Sequence, residues 1–184
     1  MMKIEMSPNK RFDSAVIAMH WLMLVLLIAV FASIELRELY PKGTETRELF
    51  KTFHFMTGLT VFLLVWIRLG FRALSKRPPV YPPVAKWQHY VAMVTHTVLY
   101  LLMIAMPIAG WAILSAEGKP IPFWGLELPA LIAENKELAH TIEELHETAG
   151  LVFYYTLALH ALAALFHHYI VKDNTLRRML PFNK

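Results

Sequence analysis

Four apolar blocks, at about residues 15–34, 53–69, 91–114 and 145–171, constrain this chain more than any other feature. Each is long enough to cross a hydrocarbon layer about 30 Å thick, where unpaired backbone amides are so costly that only helices and closed barrels span it. The expected fold is therefore all-α, a polytopic bundle of four transmembrane helices forming one domain over residues 1–184. With 57% hydrophobic and 17% charged residues, the composition argues against a soluble globule.

The formal net charge of +4 does not describe a nucleic-acid surface, because the basic residues sort by loop instead of gathering in one run. Lys3, Lys10 and Arg11, then Arg68, Arg72, Lys76, Arg77 and Lys86, then Lys172, Arg177, Arg178 and Lys184 fall on one side of the bundle. Arg37, Lys42, Arg47, Lys51, Lys119 and Lys136 fall on the other. The positive-inside rule then predicts that both termini are cytoplasmic. The opening apolar run resembles a signal peptide in outline, but its length and the early His20-Trp21 pair indicate a retained helix. Pro78-Pro79 and Pro82-Pro83 predict a stiff extended spacer after the second helix. The loop at residues 115–144 is expected to be ordered at the interface, with helical spacing over residues 131–145 extending the last helix outward.

Histidines carry the functional signal. The last apolar block holds His146, His160, His167 and His168, and an ionisable group in a membrane span is costly enough to point to function. His146 and His160 lie two heptads apart, on one face and about 21 Å apart along the axis. Phe153 falls midway on that face. With the helices alternating in direction, His20 shares the inner level with His160, and His54 shares the outer level with His146. Two matched pairs of imidazoles on facing helices suit bis-histidine ligation of two b haems. The chain has no cysteine, so iron–sulfur clusters, c-type haem attachment and disulfides are excluded.

Other roles stay open at this level. A lone intramembrane histidine serves equally well as a hydrogen-bonded packing residue. His96 and His167 also lie near the inner level and compete as ligands, as His140 does more weakly for His146. Alternatively, His96 and His167 hydrogen-bond a quinone and pass its protons, since histidine titrates near neutrality. Arg68 either holds an inner haem propionate or extends to the cytoplasmic headgroups. Gly58 and Gly150 each follow a histidine by one turn, where the missing side chain admits a flat macrocycle or close helix packing. His89 and His168 suit polar packing at the headgroups.

The residues His20-Trp21-Leu22, His54, His96 with Tyr100-Leu101-Leu102 and Pro107, and His146-Glu147-Thr148 build a specific pattern. It is completed by His160, His167-His168-Tyr169, Lys172-Asp173-Asn174-Thr175-Leu176 and Arg178-Met179-Leu180-Pro181. This combination resembles the bacterial cytochrome b561 family, within the wider group of membrane cytochromes b that serve nickel hydrogenases and formate dehydrogenases. The resemblance covers about residues 11–181. It implies a bacterial inner-membrane protein with two b haems held by His20, His54, His146 and His160, exchanging electrons with ubiquinone. One branch is similar to superoxide oxidase, which implies superoxide, or another periplasmic redox partner, as donor. Partners beyond the lipid bilayer are then ubiquinone and that donor, with no nucleic acid. The outer loop at residues 115–144 is acidic, carrying Glu117, Glu127, Glu134, Glu137, Glu143 and Glu144 against Lys119 and Lys136, which also suits a haem subunit that docks a dehydrogenase or hydrogenase. A haem-free, histidine-lined metal or proton transporter is the alternative from another class.

Overall fold

The computed structural model describes residues 11–181; Lys3, Lys10 and Lys184, counted above on the cytoplasmic side, lie outside the described residues. Four long helices account for most of it: α1 (Ser14–Arg37), α2 (Glu45–Leu74), α3 (Lys86–Ala116) and α4 (Lys136–Phe166), the last running on into a π turn over His167–Val171. All four are long and apolar enough to cross a membrane. They extend beyond the apolar blocks because helix length is set by backbone bonding and capping as well as by lipid contact. Asn135, for example, starts α4 by accepting from the Leu138 amide at 3.0 Å. Residues 131–135 stay outside α4, which shortens the outward extension expected there. Within the spans, hydroxyls that lipid would strand bond to their own helix, as Thr57 does to Phe53 O at 2.6 Å and Thr156 to Val152 O at 2.7 Å. Pro107 is accommodated without ending α3.

Consecutive helices pack antiparallel, α1 on α2, α2 on α3 and α3 on α4, whereas the backbone of α4 is not closely packed on α1 or α2. A central cluster of Met23, Leu27, Val61, Val65, Leu99, Met103 and Phe153 still draws on all four. Val25, Ile28, Leu101, Leu151 and Leu162 face outward, the opposite of a soluble core and the normal state of a surface bathed in lipid.

The loop between α3 and α4 is more structured than sequence indicated. Strands β1 (Ile121–Phe123) and β2 (Leu126–Leu128) form an antiparallel hairpin, turned by Trp124 and Gly125, both with positive φ (46° and 88°). Such a two-residue turn matches strand twist, and glycine takes its second position without strain. The Trp124 indole donates to Thr60 Oγ1 at 2.9 Å and its ring meets Phe53 edge-on, seating the hairpin against α2 between these residues. Ile121 is buried with Leu59 and Leu114 beneath it.

At the opposite end, the chain after α4 folds back as a clasp. Lys172 takes a left-handed conformation (φ 59°) that closes the π turn. Asn174 and Tyr81 exchange two hydrogen bonds, Tyr81 N to Asn174 Oδ1 at 2.8 Å and Asn174 N to Tyr81 O at 3.0 Å, tying the tail to the proline-rich loop. Arg178 bonds the Pro78 carbonyl and lies over the Phe12 ring, and the Trp21 indole donates to Met179 O at 2.7 Å. The first helix, the loop after α2 and the tail thus share one joint.

Candidate functional site

Histidines face one another between α4 and the helices α1 and α2. His54 on α2 faces His146 on α4 with ring centroids 6.4 Å apart, and His20 on α1 faces His160 on α4 at 6.2 Å. Because His146 and His160 share a face of α4 and the facing residues come from antiparallel helices, the two pairs sit at opposite ends of the bundle, with buried Phe153 between them. Phe31 of α1 packs edge-on against Phe153 at 5.6 Å.

Local bonding orients these rings. His54 Nδ1 donates to Val30 O at 2.9 Å, which leaves Nε2 with its lone pair free. A ring nitrogen fixed by a carbonyl in this way is the usual support for a metal-bound imidazole. Opposite it, His146 Nδ1 is buried without a protein partner, and a Cβ on Gly110 would stand 3.7 Å from His146 Cε1. Beside Gly58 a Cβ would meet nothing within 4 Å, whereas at Gly150 it would reach Met106 Cε at 3.7 Å.

At the other end, Arg68 joins the pair. Its Nη2 donates to His20 Nδ1 at 3.1 Å, its Nε donates to Tyr100 Oη at 3.2 Å, and its buried Nη1 has no partner. His96 lies closer still to His160, with centroids 5.2 Å apart. His167 is engaged elsewhere, with Nδ1 2.5 Å from Asp173 Oδ2, so His96 and His167 hold separate partners. His140 points away from the bundle beside Glu144 at 3.7 Å, its side chain 72% exposed, and does not face His54. His168 lies against Tyr169.

The residues present fit a bis-histidine haem. A metal bound by an imidazole nitrogen at about 2.0–2.1 Å lies about 3.2 Å from the ring centroid, so two rings on opposite sides of one metal stand about 6.4 Å apart. Both facing pairs have this separation. Among the described residues no cluster of three or more His, Cys, Asp or Glu side chains is placed to hold a bare metal ion. Facing imidazoles of this kind suit a metal whose remaining ligands come from a macrocycle.

Three participants escaped sequence reasoning: the Val30 carbonyl, Tyr100 and Asp173. Depth counting would have found the first, because Val30 lies about 15 Å along α1 from His20 and so reaches the level of His54. Nothing in the linear sequence pairs Tyr100 with Arg68 or Asp173 with His167.

The family model for prokaryotic cytochrome b561 matches residues 11–182. Cytochrome b561 homolog 1 of Escherichia coli (strain K12) is 37% identical over 174 residues, covering 95% of this chain and 99% of its own length. The probable superoxide oxidase CybB of Yersinia pestis is 38% identical over 173 residues, covering 94% and 97%. Cytochrome b561 homolog 2 of Escherichia coli (strain K12) is 30% identical over 179 residues, covering 93% and 92%.

Proposed function

This chain belongs to the prokaryotic cytochrome b561 family, and from that premise we propose that it is a di-haem electron carrier linking a periplasmic donor to ubiquinone across the bacterial inner membrane. The observation that carries the reading is the twin histidine pairs at 6.4 and 6.2 Å, one at each end of the bundle. His54 and His146 hold the outer haem b, and His20 and His160 the inner one. Haem b, when bound, would supply a reversible one-electron centre there.

The remaining residues orient and anchor. Val30 O fixes the His54 tautomer. If His20 held the haem through Nε2, its Nδ1 would carry the ring proton and could not accept from Arg68. Nη2 would then join the unpartnered Nη1 as a two-pronged donor suited to a propionate carboxylate, while Tyr100 keeps Nε in place. Phe31 and Phe153 exclude water from the space between the pairs.

Superoxide, oxidised to dioxygen, is the donor this reading favours, supported by the likeness to the probable superoxide oxidase. Of the outer cations, Arg47 donates to Glu38 and to the carbonyls of Arg37 and Tyr40, and Arg37 also pairs with Glu38. On the loop between α1 and α2, Lys42 and Lys51, the latter over the Phe55 ring, are then left to attract an anion. His96 and His167 serve the quinone at the inner level, and both termini face the cytoplasm.

Stopped-flow reduction of the purified protein by superoxide, with and without ubiquinone, tests the proposal. Expected are two haems per chain, reduced faster than superoxide dismutates and reoxidised when ubiquinone is present. A single haem, or none, ends it. A second reading, a haem subunit docking a dehydrogenase or hydrogenase, is favoured by the exposed carboxylates Glu127, Glu134, Glu137, Glu143 and Glu144. It predicts a stable co-purifying partner and no reduction by superoxide. Colourless protein from haem-supplemented cells would instead support the metal or proton transporter.

A further inference from the structure

The π turn that ends α4 builds a second arrangement, separate from the paired rings. His167 opens the turn about 10 Å beyond His160, with its side chain 18% exposed, and its Nδ1 meets a carboxylate whose side chain has no exposed surface, Asp173 Oδ2, at 2.5 Å. The Thr175 amide donates to Asp173 Oδ1 at 2.8 Å, and the Asp173 amide donates to the His167 carbonyl at 3.2 Å. Both carboxylate oxygens are thus held, one by imidazole and one by backbone. Left-handed Lys172 bends the chain back far enough for this contact, and the Asn174–Tyr81 bonds anchor the next residue. π turns of this kind recur at functional sites. A buried carboxylate on imidazole Nδ1–H fixes the tautomer and stabilises the imidazolium, leaving Nε2 as the only nitrogen able to exchange a proton.

We propose that Asp173 is the positioning residue for proton exchange between His167 Nε2 and a quinone at the cytoplasmic end of the bundle. The inference rests on the quinone reading above. In quinone reduction, two electrons arrive singly from the one-electron donor. The Nε2–H bond of the His167 imidazolium breaks as an O–H bond forms on a quinone oxygen, and His167 regains its proton from cytoplasmic water. The second proton follows by the same route in a second cycle, so each quinone takes up two electrons and two protons. In the reverse direction, neutral Nε2 accepts the proton from a quinol hydroxyl. Burial alone would raise the Asp173 carboxyl, but the hydrogen bonds from His167 and Thr175 outweigh it and keep the group below its ordinary 3.8, hence ionised.

The test is reduction of the full-length, haem-loaded protein by ubiquinol-1 in lipid nanodiscs, followed at the haem bands in H2O and D2O. For D173N the expected result is an unchanged haem content and dithionite-reduced spectrum, with reduction by quinol slowed roughly tenfold or more, as for a weakened general acid–base group. The solvent isotope effect should rise as proton transfer becomes limiting, and D173E should recover part of the rate. H167Q should show the same slowing. If D173N and H167Q reduce at the wild-type rate, the dyad has no part in proton exchange. A wild-type protein that dithionite reduces and ubiquinol-1 does not would refute the quinone reading itself. Should D173N lose haem, H167Q alone decides the matter.

Discussion

His20 and His96 both lie within ring contact of His160, and under the proposed haem reading their separations favour His20 as its partner. Two rings holding one metal between them would stand about 6.4 Å apart. The 6.2 Å between His20 and His160 is near that separation, and the 5.2 Å between His96 and His160 falls well short of it. Replacing His20 by alanine should therefore remove one haem of two, halving the haem absorbance per chain, whereas His96→Ala should retain both. His160→Ala should match His20→Ala, and neither should disturb the haem held by His54 and His146. Haem per chain, quantified after extraction from purified protein, is the readout. If His96→Ala lost a haem while His20→Ala kept two, the axial pairing argued from these separations would be wrong.

Arg68→Gln should lower the midpoint potential of the inner haem by tens of millivolts, the effect of removing one positive charge several ångströms away; an unchanged redox titration would place the guanidinium outside its influence. Phe153, 4% exposed in the central cluster, should cost about 3–5 kcal/mol when cut to alanine. Phe153→Leu should cost only the edge-on contact with Phe31, about 0.5–1.5 kcal/mol, so equal thermal shifts for the two variants would contradict the packing described. Because Asp173 has its carboxyl lowered in the fold, its stabilisation is complete above the ordinary 3.8 and disappears as pH falls through the lower folded value. Limited proteolysis of the tail should accelerate only below that pH, and Asp173→Asn should abolish the acid-specific part.

Sequence and structure part company where contacts leave the helical period. The four crossings were legible because lipid demands long apolar runs, and the facing of His20 with His160 and of His54 with His146 followed from depth and direction alone. Helix ends were less legible: α2 begins at Glu45, since the charged turn of residues 45–52 is helical without being apolar. The hairpin was hidden because Trp124-Gly125 lacks the usual Asn-Gly signal and prolines interrupt its alternation. Arg68 with Tyr100 and His167 with Asp173 depend on side-chain reach across a packed joint, which no periodicity encodes. His167 shows the limit most directly. It extends the His146–Phe153–His160 stripe by one more heptad, yet the π turn and the returning tail give it a different partner.

One consequence of the clasp concerns the order in which the molecule is made. Met179 and Arg178 close onto Trp21 and Phe12, so these contacts to the start of the first helix cannot form until residues 178 and 179 have left the ribosome. The segment bearing His146 and His160 is also the last of the four to enter the membrane, so neither facing pair exists during most of synthesis. Both come into being with a single late insertion, after which the tail closes the bundle behind them.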